Sequence, residues 1–468
     1  MERKGSKPQK FDPVITEGPI HKAVWKLAWP SMLQNVVAGL QGIVDHTLIG
    51  HYVGFTGNAA VGVSWQLFLV VIVFVGSVYT GMGILVARLA GAGKADQVNR
   101  VVYQAFLTSL LVVGGVLTPA GIFLAPRFLV WINATPEVQA EALPYLRTLL
   151  LFSFGLLFFY MIAAALRAAG DVRTPLRLGI LITLLNLILS VVLIRGLGPI
   201  PAFGTLGAAM GTVIAPAVVS LIVLYLMFSD SLIIRRVKGR MLLPDWRIIR
   251  KLFRFGLPVG FQGIAMNLGG VILVGFVGSL THSAEAQAVY AVCYTQLFSL
   301  ITWSSVGLMG ATSTIVGQNL GALKPERAMQ GARTGALVGL GVAGLIGVLF
   351  LFLPGFLLGI FGFEDPIVLH LGSQFLAYLS LSGLLVSVAI NYTGALHGGG
   401  DTRSPMLIAL VSQLLIPPGV LFFLQVNYGL LPEYVWRVVL LGHFLRCVLT
   451  VHRFYQGRWL QIRVEIES

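Results

Sequence analysis

Long apolar runs separated by short polar segments recur along the whole chain. A helix needs about 20 mostly apolar residues to cross the hydrocarbon core of a bilayer. Runs of that length lie near residues 25–48, 59–86, 102–125, 143–166, 175–195, 205–229, 253–279, 286–316, 332–354, 368–396, 405–425 and 433–452. The pattern therefore predicts an all-α polytopic membrane protein with twelve transmembrane helices.

The second half of the chain repeats the first. The stretch QLFLVVIVFVGSVYTGMGILVARLAGAGKADQ from Gln66 resembles QLFSLITWSSVGLMGATSTIVGQNLGALKPER from Gln296, at an offset of 230 residues. The same offset relates LRAAGDVRTPL from Leu166 to LHGGGDTRSPM from Leu396. Each repeat holds an even number of spans, so both have the same orientation, as in transporters that bind substrate between two parallel repeats.

The repeat divides the chain into two pseudo-symmetric six-helix lobes. Pro30 pairs with Pro258, and Gly50 with Gly278, at an offset of 228 residues, so these residues mark the first helix of each lobe. The predicted organisation is a cytoplasmic N-tail at 1–22, an N-lobe at 23–230, a cytoplasmic linker at 231–252, a C-lobe at 253–456 and a cytoplasmic C-tail at 457–468. The linker is basic and partly amphipathic, so we expect it to lie along the membrane surface.

Composition and charge support this topology. The chain is 56% hydrophobic and 11% charged, whereas soluble domains carry about 25% charged residues. With the N-terminus inside, 28 of the 32 Lys and Arg fall on the cytoplasmic side, which is the positive-inside rule. The net charge of +14 is therefore a topology signal and not a sign of nucleic-acid binding. We expect a protein of the cell's inner (plasma) membrane with both termini cytoplasmic and no signal peptide.

Several chemical functions are disfavoured by the residues present. Cys293 and Cys447 both lie in apolar stretches, so we expect neither a disulfide framework nor a metal site. The glycine-rich turns at Gly91 and Gly398 lack the spacing of a phosphate-binding loop and are better explained as helix ends. An intramembrane enzyme would need paired catalytic groups within the spans, and the chain offers a single intramembrane carboxylate.

That carboxylate, Asp45, ends a polar stripe on the first span. At about 100° per residue, Gln34 and Gln41 both fall within roughly 40° of Asp45 on a helix. A charged group at the bilayer centre costs at least ~2.5 kcal/mol, so Asp45 should face a water-filled cavity or a partner. The alternative is that Asp45 lies near the outer water interface and only caps the helix. The other acids fall in tails, loops or span ends.

Weaker candidates are polar and aromatic residues that could line a substrate cavity, with helix packing or interfacial anchoring as the alternative. These residues are Gln66, Tyr290, Tyr294, Gln296, Trp303 and Asn391. Pro30 leaves one carbonyl of the first helix without its helical partner, so it is either a hinge or a fixed kink.

The motifs taken together resemble the multidrug and toxic compound extrusion (MATE) family over nearly the whole chain. They are the two GD-x-R-[ST]-P turns, VARLAGAGKADQ, GQNLGALKPERA, Asn186 with the following GTLGAAMGT, and RVVLLGHFLRCVLTVHRFYQGRW. The pattern is most similar to the DNA-damage-inducible prokaryotic branch. The resemblance implies a V-shaped central cavity and export of amphipathic, often cationic, organic molecules against an inward H⁺ or Na⁺ gradient.

The resemblance also assigns site residues. Asp45 matches the first-helix aspartate used for cation coupling, Asn186 the asparagine of the fifth helix and Thr212 a threonine of the sixth. Ser190 stands where the branch often has a second aspartate. At Met266 and Asn267 a sodium-coupled branch would carry a glutamate, so we expect its C-lobe cation site to be missing.

The predicted function is a secondary active multidrug exporter that works by alternating access. Burial disfavours the charged form of a carboxylate, so Asp45 could bind a proton from outside and release it to the cytoplasm, with Gln34, Gln41, Asn186 and Thr212 as hydrogen-bonding partners. H⁺ is favoured over Na⁺ because one carboxylate is a thin ligand set, although Na⁺ at Asp45 stays open. The expected partners are organic cations and membrane lipids, the expected state is a monomer, and no cofactor is implied. The alternative is a flippase for lipids or lipid-linked oligosaccharides.

Overall fold

The computed structural model describes residues 11–132, 134–235 and 243–464, and it confirms an all-α membrane fold. The long helices are α1 Ile20–Tyr52, α2 Phe55–Gly91, α3 Ala95–Trp131, α4 the bent pair Pro136–Phe152 and Phe154–Ala168, α5 Arg173–Arg195, α6 Thr205–Phe228, α7 Trp246–Gly278, α8 Ser283–Gly321, α9 Pro325–Phe352, α10 Pro366–Gly399, α11 Arg403–Tyr428 and α12 Pro432–Tyr455. Each predicted span has its counterpart among them.

In the part of the chain that is described, ten helices are long and apolar enough to cross a membrane, or eleven if the two halves of α4, which meet at 50°, form one span. Helix α1 is not among them, because its polar side chains lower its mean hydropathy. The polar stripe that contains Asp45 thus gives α1 a lower mean hydropathy than the other spans.

Within the described ranges, three helices contain a π-helical segment. These lie at Val113–Leu117 in α3, Ala291–Leu297 in α8 and Leu410–Leu415 in α11. A π-helical turn inserts an extra residue and is frequent at functional sites. Shorter helices lie at Pro13–Thr16 and Pro354–Gly359, and a 3₁₀ turn lies at Arg458–Gln461.

The repeated GD turns end and begin helices in the same way in both halves. Asp171 Oδ1 accepts a hydrogen bond from Thr174 N at 3.0 Å, and Asp401 Oδ1 accepts one from Ser404 N at 3.1 Å. These carboxylates therefore satisfy free amides at the starts of α5 and α11. The glycine before Asp401, Gly400, has φ 88°, a conformation that favours glycine.

The chain forms two compact units. The first contains Val36–Leu257, and the second contains Pro13–Asn35 together with the described chain from Pro258 onward. Helices α1 and α7 therefore each contribute to both units. Residues 20–35 of α1 belong to the second unit and residues 36–52 to the first, whereas α7 changes unit at Pro258.

The predicted domain limits at 23–230 and 253–456 stay predictions. Helix α7 begins at Trp246, inside the predicted linker 231–252, and residues 236–242 of that linker lie outside the described residues. Within the first unit, Arg100 pairs with Asp245 at 2.7 Å, and Gln104 bonds the backbone of Leu243 and Asp245. The segment that leads into α7 is thus fixed to α3.

The segment that leads into α1 is fixed in a similar way within the second unit. The guanidinium of Arg327 donates to the carbonyls of Val14, Ile15 and Gly18. Asn319 Nδ2 donates to Ile15 O at 3.1 Å. Part of the predicted cytoplasmic N-tail 1–22 is therefore structured, and we call the segment Pro13–Gly18 the strap. Residues 1–10 of that tail, and residues 465–468 of the predicted C-tail, lie outside the described chain.

Candidate functional site

Three helices of the first unit bring the predicted coupling residues together. Asn186 on α5 is 1% exposed, and one end of its amide lies 3.2 Å from Asp45 Oδ1 on α1. In the amide orientation that satisfies its neighbours, Nδ2 donates to Asp45 and Oδ1 accepts from Thr212 N on α6 at 3.3 Å. The amide orientation is assigned from this hydrogen-bond network. The role of these residues in ion coupling stays a prediction.

Gln41 belongs to the same group, one helical turn before Asp45. One end of its amide lies 3.0 Å from the Asn186 amide, and the other end hydrogen-bonds Thr183 Oγ1 at 2.9 Å. The orientation of the Gln41 amide, like that of Asn186, is assigned from this network, in which an oxygen must face the Asn186 nitrogen. Thr183 was not among the residues predicted from the sequence, although a signal existed: Thr183 lies three residues before Asn186, so both share a face of α5.

Close packing of α5 against α6 sets this geometry. A Cβ on Gly207 would lie 2.4 Å from the carbonyl oxygen of Leu193, so the two backbones touch where a side chain would not fit. A Cβ on Gly211 would lie 2.7 Å from Ser190 Oγ. Ser190 is buried at this contact, and within the described chain its hydroxyl has no hydrogen-bond partner.

Two other predicted residues belong to the second unit. Gln34 and Pro30 lie in the part of α1 that packs there, so the structure does not group them with Asp45. Helix α1 continues through Pro30 from Ile20 to Tyr52. Whether Pro30 is a hinge stays a prediction. Thr212 contributes its backbone N–H to the site, since its hydroxyl donates to Ala208 O at 3.0 Å within its own helix.

The cavity candidates fall in different environments. Gln66 is exposed on α2, and Gln296 and Trp303 are half-buried on α8. Tyr290 and Tyr294 stack on each other with their ring centres 5.0 Å apart. The burial and stacking of these side chains do not test substrate contact, so their place in a substrate cavity stays a prediction.

Asn391 is fully buried between three helices of the second unit. Its Oδ1 accepts from Thr312 Oγ1 at 2.6 Å, and its Nδ2 donates to Ala332 O at 2.9 Å. Because both ends of the Asn391 amide already form hydrogen bonds within the protein, little hydrogen-bonding capacity remains for a substrate. This geometry favours the packing alternative for Asn391.

The site has few ionic ligands. Within the described ranges, no group of three or more His, Cys, Asp or Glu side chains could hold a metal ion. In the second unit, the counterpart of Asp45 at an offset of 228 residues is Leu273, a core residue. The chemistry available around Asp45 is therefore one carboxylate with amide and hydroxyl partners.

Comparison with known proteins agrees with the repeat and the fold. A family model described as MatE matches residues 30–192 and again 258–421, so each half matches separately. The "Probable multidrug resistance protein NorM" of Thermotoga maritima is 28% identical, over 94% of this chain and 93% of that protein. The "Multidrug resistance protein MdtK" of Pectobacterium atrosepticum is 26% identical, over 93% of this chain and 94% of that protein.

Solved structures match over almost the whole length. One described as the "Outward-facing conformation of a multidrug resistance MATE family transporter of the MOP superfamily" has a TM-score of 0.87 at 20% identity and covers 98% of this chain and 100% of that chain. A MATE structure "in the straight conformation" has a TM-score of 0.86 at 21% identity, covering 97% of this chain and 98% of that chain. At such identities the likeness shows the fold alone. The DNA-damage-inducible branch stays a prediction.

Proposed function

Because the chain belongs to the MatE family of membrane transporters, we propose that it exports amphipathic, often cationic, organic molecules in exchange for inward H⁺. The names of its relatives point to multidrug resistance and support the substrate class. Asp45 is the group that binds and releases the proton in this proposal. The protein works in the plasma membrane as a monomer, with both termini in the cytoplasm.

The observation that carries the proposal is the contact between Asp45, Asn186 and Thr212. A charged Asp45 accepts a hydrogen bond from Asn186, and Asn186 in turn accepts one from the backbone of α6. Protonation neutralises the carboxylate and weakens its hold on the Asn186 amide. The contact between α1, α5 and α6 therefore depends on whether Asp45 carries a proton.

Such a contact can couple transport to a proton gradient. Coupling requires only that the drug and the proton favour different conformations of the protein. Helix α1 suits this role because residues 36–52, which include Asp45, belong to the first unit, while residues 20–35 belong to the second. A change at Asp45 thus acts on a helix that both units share.

The same geometry favours H⁺ over Na⁺. A Na⁺ ion needs several oxygen ligands. Asp45 is the one carboxylate of the site, and among the described residues no group of three or more His, Cys, Asp or Glu side chains could hold a metal ion.

The test is transport into vesicles that contain the purified protein. Uptake of ethidium is followed under an imposed pH gradient and, separately, under a sodium gradient. We expect the pH gradient to drive uptake, Asp45→Asn to abolish it, and the exposed control Glu364→Gln to leave it unchanged. Uptake driven only by the sodium gradient would show that the coupling ion is Na⁺ and not H⁺. Full activity of Asp45→Asn would refute the role of Asp45.

A further inference from the structure

A basic group of side chains lies in the interior of the second unit. Arg446 and His443 on α12 are 5% and 4% exposed, and Tyr294 lies beside them on α8. We call these three residues the Arg446 cluster. His443 follows the start of α12 by about 16 Å and Arg446 by about 21 Å, at 1.5 Å per residue. The cluster is therefore near the middle of the helix and not at its end.

The contacts within the cluster are few. Tyr294 Oη lies 3.4 Å from His443 Nε2, and the two rings are almost parallel at 4°. Arg446 interacts electrostatically with both Tyr294 and His443. Nδ1 of His443 is buried and finds no hydrogen-bond partner in the described part of the chain.

Arg446 has no counter-charge among the described residues. The buried carboxylate of Asp401 in the same unit is already paired with Arg453 at 2.7 Å and accepts a hydrogen bond from Ser404. A second histidine, His397 on α10, interacts with both Asp401 and Arg446 and itself has a buried Nε2 without a partner. A buried guanidinium without an anion is costly, and ionisable groups inside a membrane span are usually functional.

The counterpart of Asp45 in the second unit is Leu273, a core residue. The second unit holds the buried guanidinium of Arg446 near the two buried imidazoles of His443 and His397. Packing alone does not require Arg446, because an apolar side chain would fill the same volume without the cost of an unpaired charge.

We propose that the Arg446 cluster binds an oxyanion, the carboxylate or phosphate of an amphipathic molecule. A guanidinium is planar and binds carboxylate or phosphate through two parallel hydrogen bonds. In the tautomer in which the Tyr294 hydroxyl donates to His443 Nε2, the unpartnered Nδ1–H of His443 supplies one further donor, and Tyr294 fixes that tautomer. The stacked rings of Tyr290 and Phe375, whose centres lie 6.1 Å apart, are buried beside Tyr294 and make the surroundings of the cluster apolar.

This inference rests on the proposed transport function only in taking the oxyanion to belong to a transported molecule. It widens the substrate class from organic cations to molecules that carry an anionic group, either alone or together with a cation. A lipid headgroup presents the same chemistry through its phosphate. Binding measured in nanodiscs of different lipid composition distinguishes the anionic group of a transported molecule from the phosphate of a lipid headgroup.

The experiment compares two ligands that differ only in charge. Binding of pyrenebutyrate and of pyrenebutanol to the full chain in phosphatidylcholine nanodiscs is followed by energy transfer from tryptophan to pyrene. We expect the carboxylate to bind at least about tenfold more tightly than the alcohol, as hydrogen bonds to a charged group would give. Arg446→Gln should remove this preference without changing binding of the alcohol, and Arg446→Lys should keep part of it.

A matched control lies on the same helix. Arg437 is exposed and paired with Glu433, so Arg437→Gln should leave the preference intact. If Arg446→Gln does not fold, Tyr294→Phe and His443→Gln take its place, and each should weaken carboxylate binding about threefold or more. Repeating the measurement in nanodiscs with phosphatidylglycerol tests the lipid: competition there identifies the phosphate of a headgroup as an occupant of the same site.

Equal binding of the two ligands by the wild type would overturn the inference. So would a preference that survives in Arg446→Gln, or in both Tyr294→Phe and His443→Gln when Arg446→Gln does not fold. These outcomes are independent of the proposed function, since no gradient and no transport are involved. Conversely, vesicles that show no gradient-driven uptake would refute the exporter while leaving the ligand preference untouched.

Discussion

Replacing Arg327 with alanine should release the strap at Pro13–Gly18 from the second unit. The guanidinium donates to three strap carbonyls, and its contacts to Val14 and Ile15 are long at 3.3 Å. Hydrogen bonds from a charged donor contribute ~1.5–3 kcal/mol. Because two of the three are weak, we expect a total loss of about 2–3 kcal/mol in the free energy of local opening.

That loss has a direct readout in amide hydrogen exchange. The amides of Glu17 and Gly18 are bonded to Pro13 O at 2.8 Å and Val14 O at 3.2 Å, so they report on the strap. Since ~1.4 kcal/mol corresponds to a factor of ten, their exchange should become about 30- to 150-fold faster in Arg327→Ala. Mass spectrometry of the protein in nanodiscs measures this exchange.

The control is the neighbouring Lys324, whose exposed ammonium makes a single hydrogen bond to Thr16 O at 3.0 Å. Lys324→Ala should speed exchange by less than about fivefold, as exposed charges contribute ~0–1 kcal/mol. Unchanged exchange in Arg327→Ala, or an equal effect of Lys324→Ala, would refute the view that Arg327 holds the strap. If the strap also anchors α1 during transport, Arg327→Ala should slow proton-driven ethidium uptake without weakening ethidium binding.

Three further substitutions test a buried side chain of the second unit and the packing and hydrogen bonding of the candidate site in the first. Asn391→Leu should lower the free energy of unfolding by about 2–4 kcal/mol, because two buried partners lose their hydrogen bonds; weaker drug binding at unchanged thermal stability would instead make Asn391 a cavity residue. Gly207→Ala should cost about 1–3 kcal/mol by pushing α6 away from α5, and it should reduce proton-driven uptake, whereas Gly62→Ala, with no atom within 4 Å of the added Cβ, should change neither. Thr183→Val removes the hydroxyl that hydrogen-bonds Gln41 and should slow uptake severalfold at normal expression; an unchanged rate would exclude Thr183 from the site.

The sequence predicted the helices well because apolar runs and the internal repeat are local signals. It did not predict the 50° bend within α4 or the π-helical segments, which depend on packing between helices. It placed the linker at 231–252, whereas α7 already begins at Trp246. It also treated 1–22 as a tail, because the contacts that order the strap come from Arg327, some three hundred residues away.

The site was only partly predictable for a similar reason. Helical periodicity identifies the face on which Gln34, Gln41 and Asp45 lie, but not the neighbour that each part of that face meets. The structure groups Gln41 with Asp45 and places Gln34 in the other unit. Asn186 and Thr212 came from the family resemblance. The contact between Thr183 and Gln41, and the Arg446 cluster, could be recognised only from the structure. Contacts between residues on different helices leave no local pattern in the sequence.

The central claim is that drug and proton compete through Asp45, and proton release on drug binding tests it most directly. Ethidium is added to the purified protein in weakly buffered detergent solution, and a pH-indicator dye reports released protons. Linkage predicts that the wild type releases up to about one proton for each ethidium bound, whereas Asp45→Asn binds ethidium and releases none. Equal release by Asp45→Asn, or no release by the wild type at any pH at which the protein stays folded, would contradict the account.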